Sequence, residues 1–306
     1  MKNETPIQGH YDTSSVFVAV IGRPNVGKSS LTNLLVGEKV AIVTNKPQTT
    51  RNRICGVRTR GESQFVFVDT PGLHKARTRL GDYMVKVVKE SVADVDAVLL
   101  LVEPIPHIGG PEAELIRRIK ELNVPAVLVI NKIDTVEKEE LLSVMQVYGA
   151  AHDFAAIVPI SAKRNEGVDE LLGLLAQFLP EGPQLFPEDM VTDQPERQVC
   201  AEIIREKLLL CLDKEIPHGT AVEITTFSER DDGIIDLDAT IYCEKASHKG
   251  IIIGKGGAML KKISTLARTD IEAFMGTKVF LQTWVKVKEN WRDNMNLIKN
   301  FGYRDE

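Results

Sequence analysis

Gly22-Arg23-Pro24-Asn25-Val26-Gly27-Lys28-Ser29 follows an unbroken apolar run at 16–21 and precedes an apolar helical spacing at Leu31, Leu34 and Leu35. Strand, glycine-rich loop and helix in that order make a phosphate-binding loop. Backbone N–H groups of such a loop point at phosphate oxygens, and the positive end of the following helix adds to the attraction. Lys28 is the point charge for the outer phosphates, and Ser29 offers a hydroxyl to Mg²⁺. Residues 22–30, with Ser30 the last of them, are therefore the expected phosphate-binding set of a nucleoside triphosphate site.

Outward from the loop, apolar stretches at 65–68, 97–102, 126–130 and 156–160 alternate with helical patterns such as 111–122 and 168–178. Near-continuous apolar strands separated by helices predict a mostly parallel sheet covered on both faces. An α/β domain is expected over 16–180, behind a short tail at 1–15. Asn131-Lys132-Ile133-Asp134 stands at the carboxyl end of one strand, where ligands bind in open α/β sheets. A carboxylate only accepts hydrogen bonds. Guanine offers it two adjacent donors, whereas adenine presents an acceptor, so Asp134 selects GTP over ATP. Asn131 and Lys132 are candidate guanine-site residues with it. Ser161-Ala162-Lys163 ends the next strand, and a backbone N–H there is expected to reach the guanine carbonyl.

Asp69-Thr70-Pro71-Gly72-Leu73-His74 follows the strand at 65–68. Asp69 is expected to hold Mg²⁺ through water, and the Gly72 N–H to sense the γ-phosphate. Thr49 or Thr50, in Gln48-Thr49-Thr50-Arg51, completes the Mg²⁺ shell; Thr50 is favoured. Segments 45–53 and 73–79 are the expected switches, ordered by the γ-phosphate and released after hydrolysis. Many GTPases carry a water-orienting Gln after D-x-x-G; Leu73 cannot hydrogen-bond. His74 is a candidate base, although a surface histidine in a switch is the plainer reading. Asn25 has two readings: a K⁺ ligand that offsets charge between the β- and γ-phosphates, or a residue that simply tolerates the loop's turn.

The 306 residues suit two domains of about 100–200 residues each. No apolar stretch approaches the roughly 18 residues of a membrane span, and the polar tail lacks a leader's apolar core. Cys55, Cys200, Cys211 and Cys243 have no metal-ligand spacing. Scattered cysteines fit reduced thiols and a cytoplasmic setting. A net charge of −5 means that any nucleic-acid surface must be a local patch.

Prolines 180, 183, 187 and 195 mark a linker over 181–195. Beyond it the order becomes helix, strand, strand, helix, helix, strand across 196–288, with a C-terminal segment at 289–306. Val222, Ile224 and Thr226 are expected on one strand face; Ile235, Leu237, Ala239 and Ile241 on the next; Leu260, Ile263, Ala267, Ile271 and Phe274 on one helix face. Asp231-Asp232-Gly233 signals the turn between the two strands. Gly254-Lys255-Gly256-Gly257, entered from 251–253 and followed by a helix, has the form of a KH domain's G-x-x-G clamp on single-stranded RNA. Between Lys245 and Arg268 there are six Lys/Arg and no Asp or Glu. Lys249, Ile253, Lys255, Lys261 and Lys262 join the glycines as candidate RNA contacts, with 251–253 as groove floor for bases. Trp284, on an alternating strand, is expected in a core or interface rather than on bases.

P-Q-T-T-R at 47–51, D-T-P-G-L-H at 69–74, V-P-I-S-A at 158–162, F-P-E-D at 186–189, I-I-R-E-K-L at 203–208 and L-Q-T-W-V-K-V-K at 281–288 complete a pattern. With the loops above, the chain resembles the Era-type GTPases from about residue 16 to 303. Leu73 in place of Gln is that family's own pattern. The resemblance implies a P-loop GTPase domain followed by an α+β type II KH domain. It implies a Mg²⁺-dependent GTPase that binds GTP and GDP, grips 16S rRNA near its 3′ end and assists maturation of the 30S ribosomal subunit. It also implies a peripheral association with the inner membrane.

Overall fold

The computed structural model describes residues 12–72, 78–91 and 95–303. The amino-terminal half contains β1 (Ser14–Gly22), α1 (Lys28–Val36), β2 (Ile54–Arg60), β3 (Ser63–Asp69), α2 (Arg79–Glu90), β4 (Ala97–Val102), α3 (Gly110–Leu122), β5 (Ala126–Ile130), α4 (Lys138–Ala151), β6 (Ala156–Pro159) and α5 (Val168–Leu175). Its six-stranded sheet has the order β2-β3-β1-β4-β5-β6. Every neighbouring pair is parallel except β2 with β3.

The apolar strand runs have a direct cause in the layering. Successive side chains of a strand point to opposite faces. Val18, Val20, Leu99 and Leu101 enter the core shared with α1 and α5. Ala19, Ile21, Val98 and Leu100 enter the core shared with α3 and α4. Both parities must be apolar, so no alternation is left to read. β2 lies outside the expected strands. It is an edge strand whose Arg58, Thr59 and Arg60 reach solvent, and its place comes from pairing with β3 across a tight turn at Gly61.

The proline-rich stretch lies against the sheet edge rather than hanging free. The Gly182 N–H donates to Thr13 O at 3.0 Å, Gln64 Oε1 accepts from Leu185 and Phe186 N–H, and Val57 N–H donates to Val191 O at 2.8 Å.

The carboxy-terminal half contains α6 (Glu196–Cys211), β7 (Ala221–Glu229), β8 (Ile235–Cys243), α7 (Ala246–Ile253), α8 (Ala258–Met275), β9 (Val279–Val287) and α9 (Met295–Asn300). Its sheet has the order β7-β8-β9, antiparallel then parallel. The expected element order and the buried face of α8 at Ile263, Ala267 and Ile271 are found. One face assignment is corrected. A bulge between Ile224 and Thr226 shifts the register, so Phe227, opposite Leu237, and not Thr226 packs on the core. Such an inserted residue inverts the pattern downstream of it.

Of the two expectations for Trp284, the core one is corrected. The residue is 58% exposed on the open face of β9, whereas Trp291 is fully buried. Trp291, Ile298, Phe301 and Tyr303 share a cluster with Leu80, Tyr83, Met84 and Val87 of α2. The C-terminal segment thereby joins the two halves.

Candidate functional site

The loop between β1 and α1 borders a cleft of about 590 Å³, whose other walls come from residues 42–45 and 48–50, Gly72, the segment 131–135 and residues 162–163. Gly27 has φ +102°, and a Cβ there would lie 2.2 Å from Asn131 Nδ2, so only glycine fits. Lys28 Nζ is buried and donates to the carbonyls of Gly22 (3.3 Å) and Arg23 (2.9 Å). Burial lowers its pKa to about 8 against the opposing pull of Asp69. Arg23 pairs with Glu112 of α3 at 3.1 Å, Val26 is buried, and Pro24 and Ser30 line the cleft. Thr70 Oγ1 donates to Val20 O at 3.0 Å and fixes the end of β3 to β1. Pro71 is buried beside it.

Three oxygens converge below the loop. Ser29 Oγ donates to Asp69 Oδ2 at 2.7 Å and lies 2.9 Å from Thr50 Oγ1, which donates to Asp69 Oδ2 at 3.3 Å. The Asp69 carboxylate is fully buried, and its Oδ1 has no hydrogen-bond partner among the described residues. Burial pushes its pKa up, against the pull of Lys28. Thr49 is turned elsewhere: its hydroxyl donates to Lys46 O at 2.7 Å and contacts the Thr44 hydroxyl. Of the two threonines, only Thr50 joins Ser29 and Asp69. Hydroxyl and carboxylate oxygens are the donors Mg²⁺ takes, and an orphaned buried carboxylate oxygen is where a cation's charge is wanted.

On the base side, Asp134 Oδ1 accepts from Ser161 Oγ at 2.7 Å, and this bond holds the carboxylate below its usual pKa. Asn131 lines the cleft and is also tied into the protein at both ends of its amide. Its Nδ2 donates to Val26 O at 2.7 Å, and its Oδ1 accepts from the Ala162 N–H at 3.0 Å. It is therefore a buried brace joining the phosphate loop to the segment 161–163. Within 161–163, where a backbone N–H is expected to reach the guanine carbonyl, the Ala162 N–H is engaged by that brace. Lys132, in a left-handed conformation, pairs with Glu103 of the neighbouring strand end. Asn25 Nδ2 donates to Asn45 O at 3.0 Å, tying the loop to the first switch segment. Leu73 and His74 lie outside the described residues.

In the second half, α7 ends at Gly254, and a single turn over 255–257 leads into α8. Gly254 has φ +72°, and a Cβ on it would meet Met259 Cβ at 2.8 Å, so the tight corner requires glycine. Lys255, Gly256, Lys261 and Lys262 are exposed; Lys249, Ile253 and Gly257 are half-buried. The expected groove floor is only partly realised: Ile252 is wholly in the core and Ile253 packs partly against it, which leaves Ile251 exposed.

Residue patterns gave no role to Arg51, Arg205 and Glu206, although all three fall within the quoted motifs. Each bonds across the two halves. Arg51 donates to Thr220 O and His218 O, Arg205 to Thr49 O, and Glu206 accepts from the Val43 N–H. Their partners are 150 or more positions away, so no local signal exists.

Known proteins resemble the chain along nearly its whole length. Residues 17–132 match the family described as 50S ribosome-binding GTPase, and residues 215–292 match the KH domain. GTPase Era of Ruminiclostridium cellulolyticum is 53% identical over 290 residues, covering 95% of this chain and 97% of its own. GTPase Era of Clostridium kluyveri is 51% identical, with 95% and 99% covered. Among solved structures, a variant of Aquifex aeolicus Era bound to GDP·AlF4⁻ superposes with a TM-score of 0.92 at 38% identity, covering 96% of this chain and 100% of its own. A structure of Era in complex with MgGDPNP and nucleotides 1506–1542 of 16S ribosomal RNA gives the same values. With the phosphate loop, the converging oxygens and the glycine corner in one molecule, and relatives of this identity end to end, the chain belongs to the Era family of GTPases.

Proposed function

We propose that this protein is a GTP-hydrolysing switch that binds 16S rRNA near its 3′ end through its KH domain and assists assembly of the 30S subunit. The observation that carries it is the convergence of Ser29, Thr50 and Asp69 beneath the phosphate loop. Ser29 and Thr50 would hold Mg²⁺ directly and Asp69 through water; bound there, the ion neutralises charge developing on the β- and γ-phosphates. Backbone N–H groups of residues 22–30 other than Pro24, which has none, would orient the phosphates, Lys28 adds its charge, and the Gly72 N–H reports the γ-phosphate. Asp134, held by Ser161, accepts from guanine, with residues 161–163 beside it. Leu73 and His74 belong to the second switch.

Asn25 supports a K⁺ site. Its amide nitrogen is engaged by Asn45 O, so its side-chain oxygen would be the ligand for a monovalent cation; its φ of +64° fits the turn reading as well. Faster hydrolysis in KCl than in NaCl is expected; equal rates remove this part.

On the RNA side, Gly254–Gly257 and Lys255 would clamp the backbone, Lys249, Lys261 and Lys262 neutralise phosphates, and Ile253 meets a base. The small-subunit reading follows the relative solved with 16S rRNA nucleotides rather than the wording of the broader GTPase family. Among the described residues no helix is long and apolar enough to cross a membrane. A peripheral inner-membrane association of a cytoplasmic protein stays within the proposal on the family resemblance alone; flotation with anionic vesicles tests it.

The deciding experiment is single-turnover GTP hydrolysis by the full chain, with Lys28→Ala as control. Mg²⁺-dependent turnover that Lys28→Ala abolishes supports the assignment. Turnover that survives either EDTA or the substitution overturns it.

A further inference from the structure

The backbone around Thr50 is anchored on both sides by the other half of the molecule. Before it, Thr49 O accepts from Arg205 Nη2 of α6. After it, the Arg51 guanidinium enters the second half: Nη1 donates to Thr220 O (2.8 Å) and to the Tyr303 hydroxyl (3.1 Å), and Nη2 to His218 O (2.8 Å). The same group lies 5.7 Å from the Trp291 ring centroid and 5.8 Å from that of Tyr303. Trp291 is fixed in turn by its Nε1–H on Gly219 O at 2.9 Å. Upstream, the Val43 N–H donates to Glu206 Oε1 at 2.9 Å, and Lys46 bonds to Leu212 O.

Arg51 is 1% exposed, and among the described residues no carboxylate is in ion-pair contact with it; its Nε has no hydrogen-bond partner there. A buried charge held by two carbonyls, one phenol hydroxyl and ring faces, with no carboxylate in ion-pair contact among the described residues, is a costly filler, since an apolar side chain of similar volume would serve a purely structural joint as well or better. Consecutive Cα atoms are about 3.8 Å apart. With Thr49 and Arg51 both bonded outward, Thr50 has little freedom to leave Ser29 and Asp69.

We infer that the GTPase centre is completed from the second half of the chain: Arg205, together with Trp291 and Tyr303 acting through Arg51, are positioning residues that hold the Thr50 hydroxyl at the Ser29–Asp69 oxygens. This rests on those oxygens being the Mg²⁺ site. It makes the γ-phosphate-sensing segment answerable to α6 and the C-terminal segment, the elements that also pack on the KH core and on α2.

The test uses the full chain with Arg51→Met, Arg205→Lys and Tyr303→Phe. A fluorescent non-hydrolysable GTP analogue and GDP are titrated with Mg²⁺ and with EDTA, and single-turnover rates are measured alongside. Loss of one positioning contact is expected to weaken Mg²⁺-dependent analogue binding about tenfold for Arg51→Met, and about threefold for Tyr303→Phe. GDP affinity, and analogue affinity in EDTA, are expected to stay within about twofold of the unaltered protein. Hydrolysis falls about 10- to 100-fold in Arg51→Met, the scale of a misplacement near 1 Å. If Arg51→Met does not fold, Arg205→Lys and Tyr303→Phe decide by the same criteria.

Unchanged Mg²⁺-dependent analogue binding in a folded variant overturns the inference. Equal losses for GDP, or in EDTA, overturn it too, because they signal structural damage only. An unaltered protein whose analogue binding ignores Mg²⁺ overturns the metal assignment itself, which is a separate result.

Discussion

Replacing Asn131 tests whether the nucleotide cleft is held together by one side chain. Asn131→Ala removes the bond from Nδ2 to Val26 O (2.7 Å) and the bond from the Ala162 N–H to Oδ1 (3.0 Å). Each hydrogen bond is worth about 1 kcal/mol net, and a buried group left without its partner costs about 1–3 kcal/mol. Val26 O is stranded beneath the phosphate loop, while the Ala162 N–H regains some water. The sum is about 2–4 kcal/mol, or about 30- to 700-fold in nucleotide affinity if the loss falls on the bound geometry. Asn131→Asp is the sharper probe: it keeps the acceptor for Ala162 but sets a carboxylate oxygen against the Val26 carbonyl. It is expected to bind at least as poorly as Asn131→Ala. Calorimetric titration with Mg·GDP, beside a thermal melt of the apoprotein, measures both parts. Affinity within about threefold of the unaltered protein, in a variant that still folds, would refute the brace.

Asp134→Asn swaps an acceptor for an amide, so preference should move from guanine to xanthine nucleotides by on the order of 100-fold in competition binding. Lys261→Ala with Lys262→Ala should weaken RNA binding with little dependence on sequence and lower the slope of log K against log salt by about 2, about 1 per phosphate contact. Burial raises the thiols of Cys55 and Cys200 to about 12, so a disulfide reagent at pH 8 should leave both unlabelled in the native protein and label all four cysteines after denaturation. Burial alone would raise the pKa of Glu206, but Lys207, Lys39 and the Val43 N–H hold it below the usual range. A carboxylate with a depressed folded pKa stabilises fully above its unfolded value, about 4.3, and loses that contribution as pH falls through the folded value. Glu206→Gln should therefore lower the melting temperature at pH 7 and flatten its decline below pH 4.5.

The layers of the first half were legible because burial on both faces leaves a plain mark. β4 and β5 are continuous apolar runs, and their carboxyl ends carry the polar residues that a ligand meets. β2 was not, since an edge strand with Arg58 and Arg60 in solvent reads like a loop. The alternation on β7 misled after Ile224, where a bulge adds a residue that no periodicity announces. The core expectation for Trp284 failed for a related reason. Composition says that a tryptophan wants cover, but only the position of the C-terminal segment against α2 says which one receives it. At the cleft, residue types pointed to Ser29, Asp69 and Asp134, yet they favoured Thr50 over Thr49 without a geometric reason. Geometry separates them by sending the Thr49 hydroxyl to Lys46 O. The roles of Arg51 and Arg205 at the cleft lie beyond the reach of motif reading, because their bonds across the two halves span 156 to 252 positions.

On the proposed function, one molecule couples guanine-nucleotide state to its grip on RNA. Coupling must be reciprocal, since each ligand changes the other's affinity by the same factor. The most direct measurement is the affinity of the full chain for an RNA copied from the 3′ end of 16S rRNA, once saturated with a Mg²⁺-bound GTP analogue and once with GDP. Tighter RNA binding in the analogue state, by the factor seen when RNA tightens the analogue, is the predicted result. Equal RNA affinity in the two nucleotide states would contradict it.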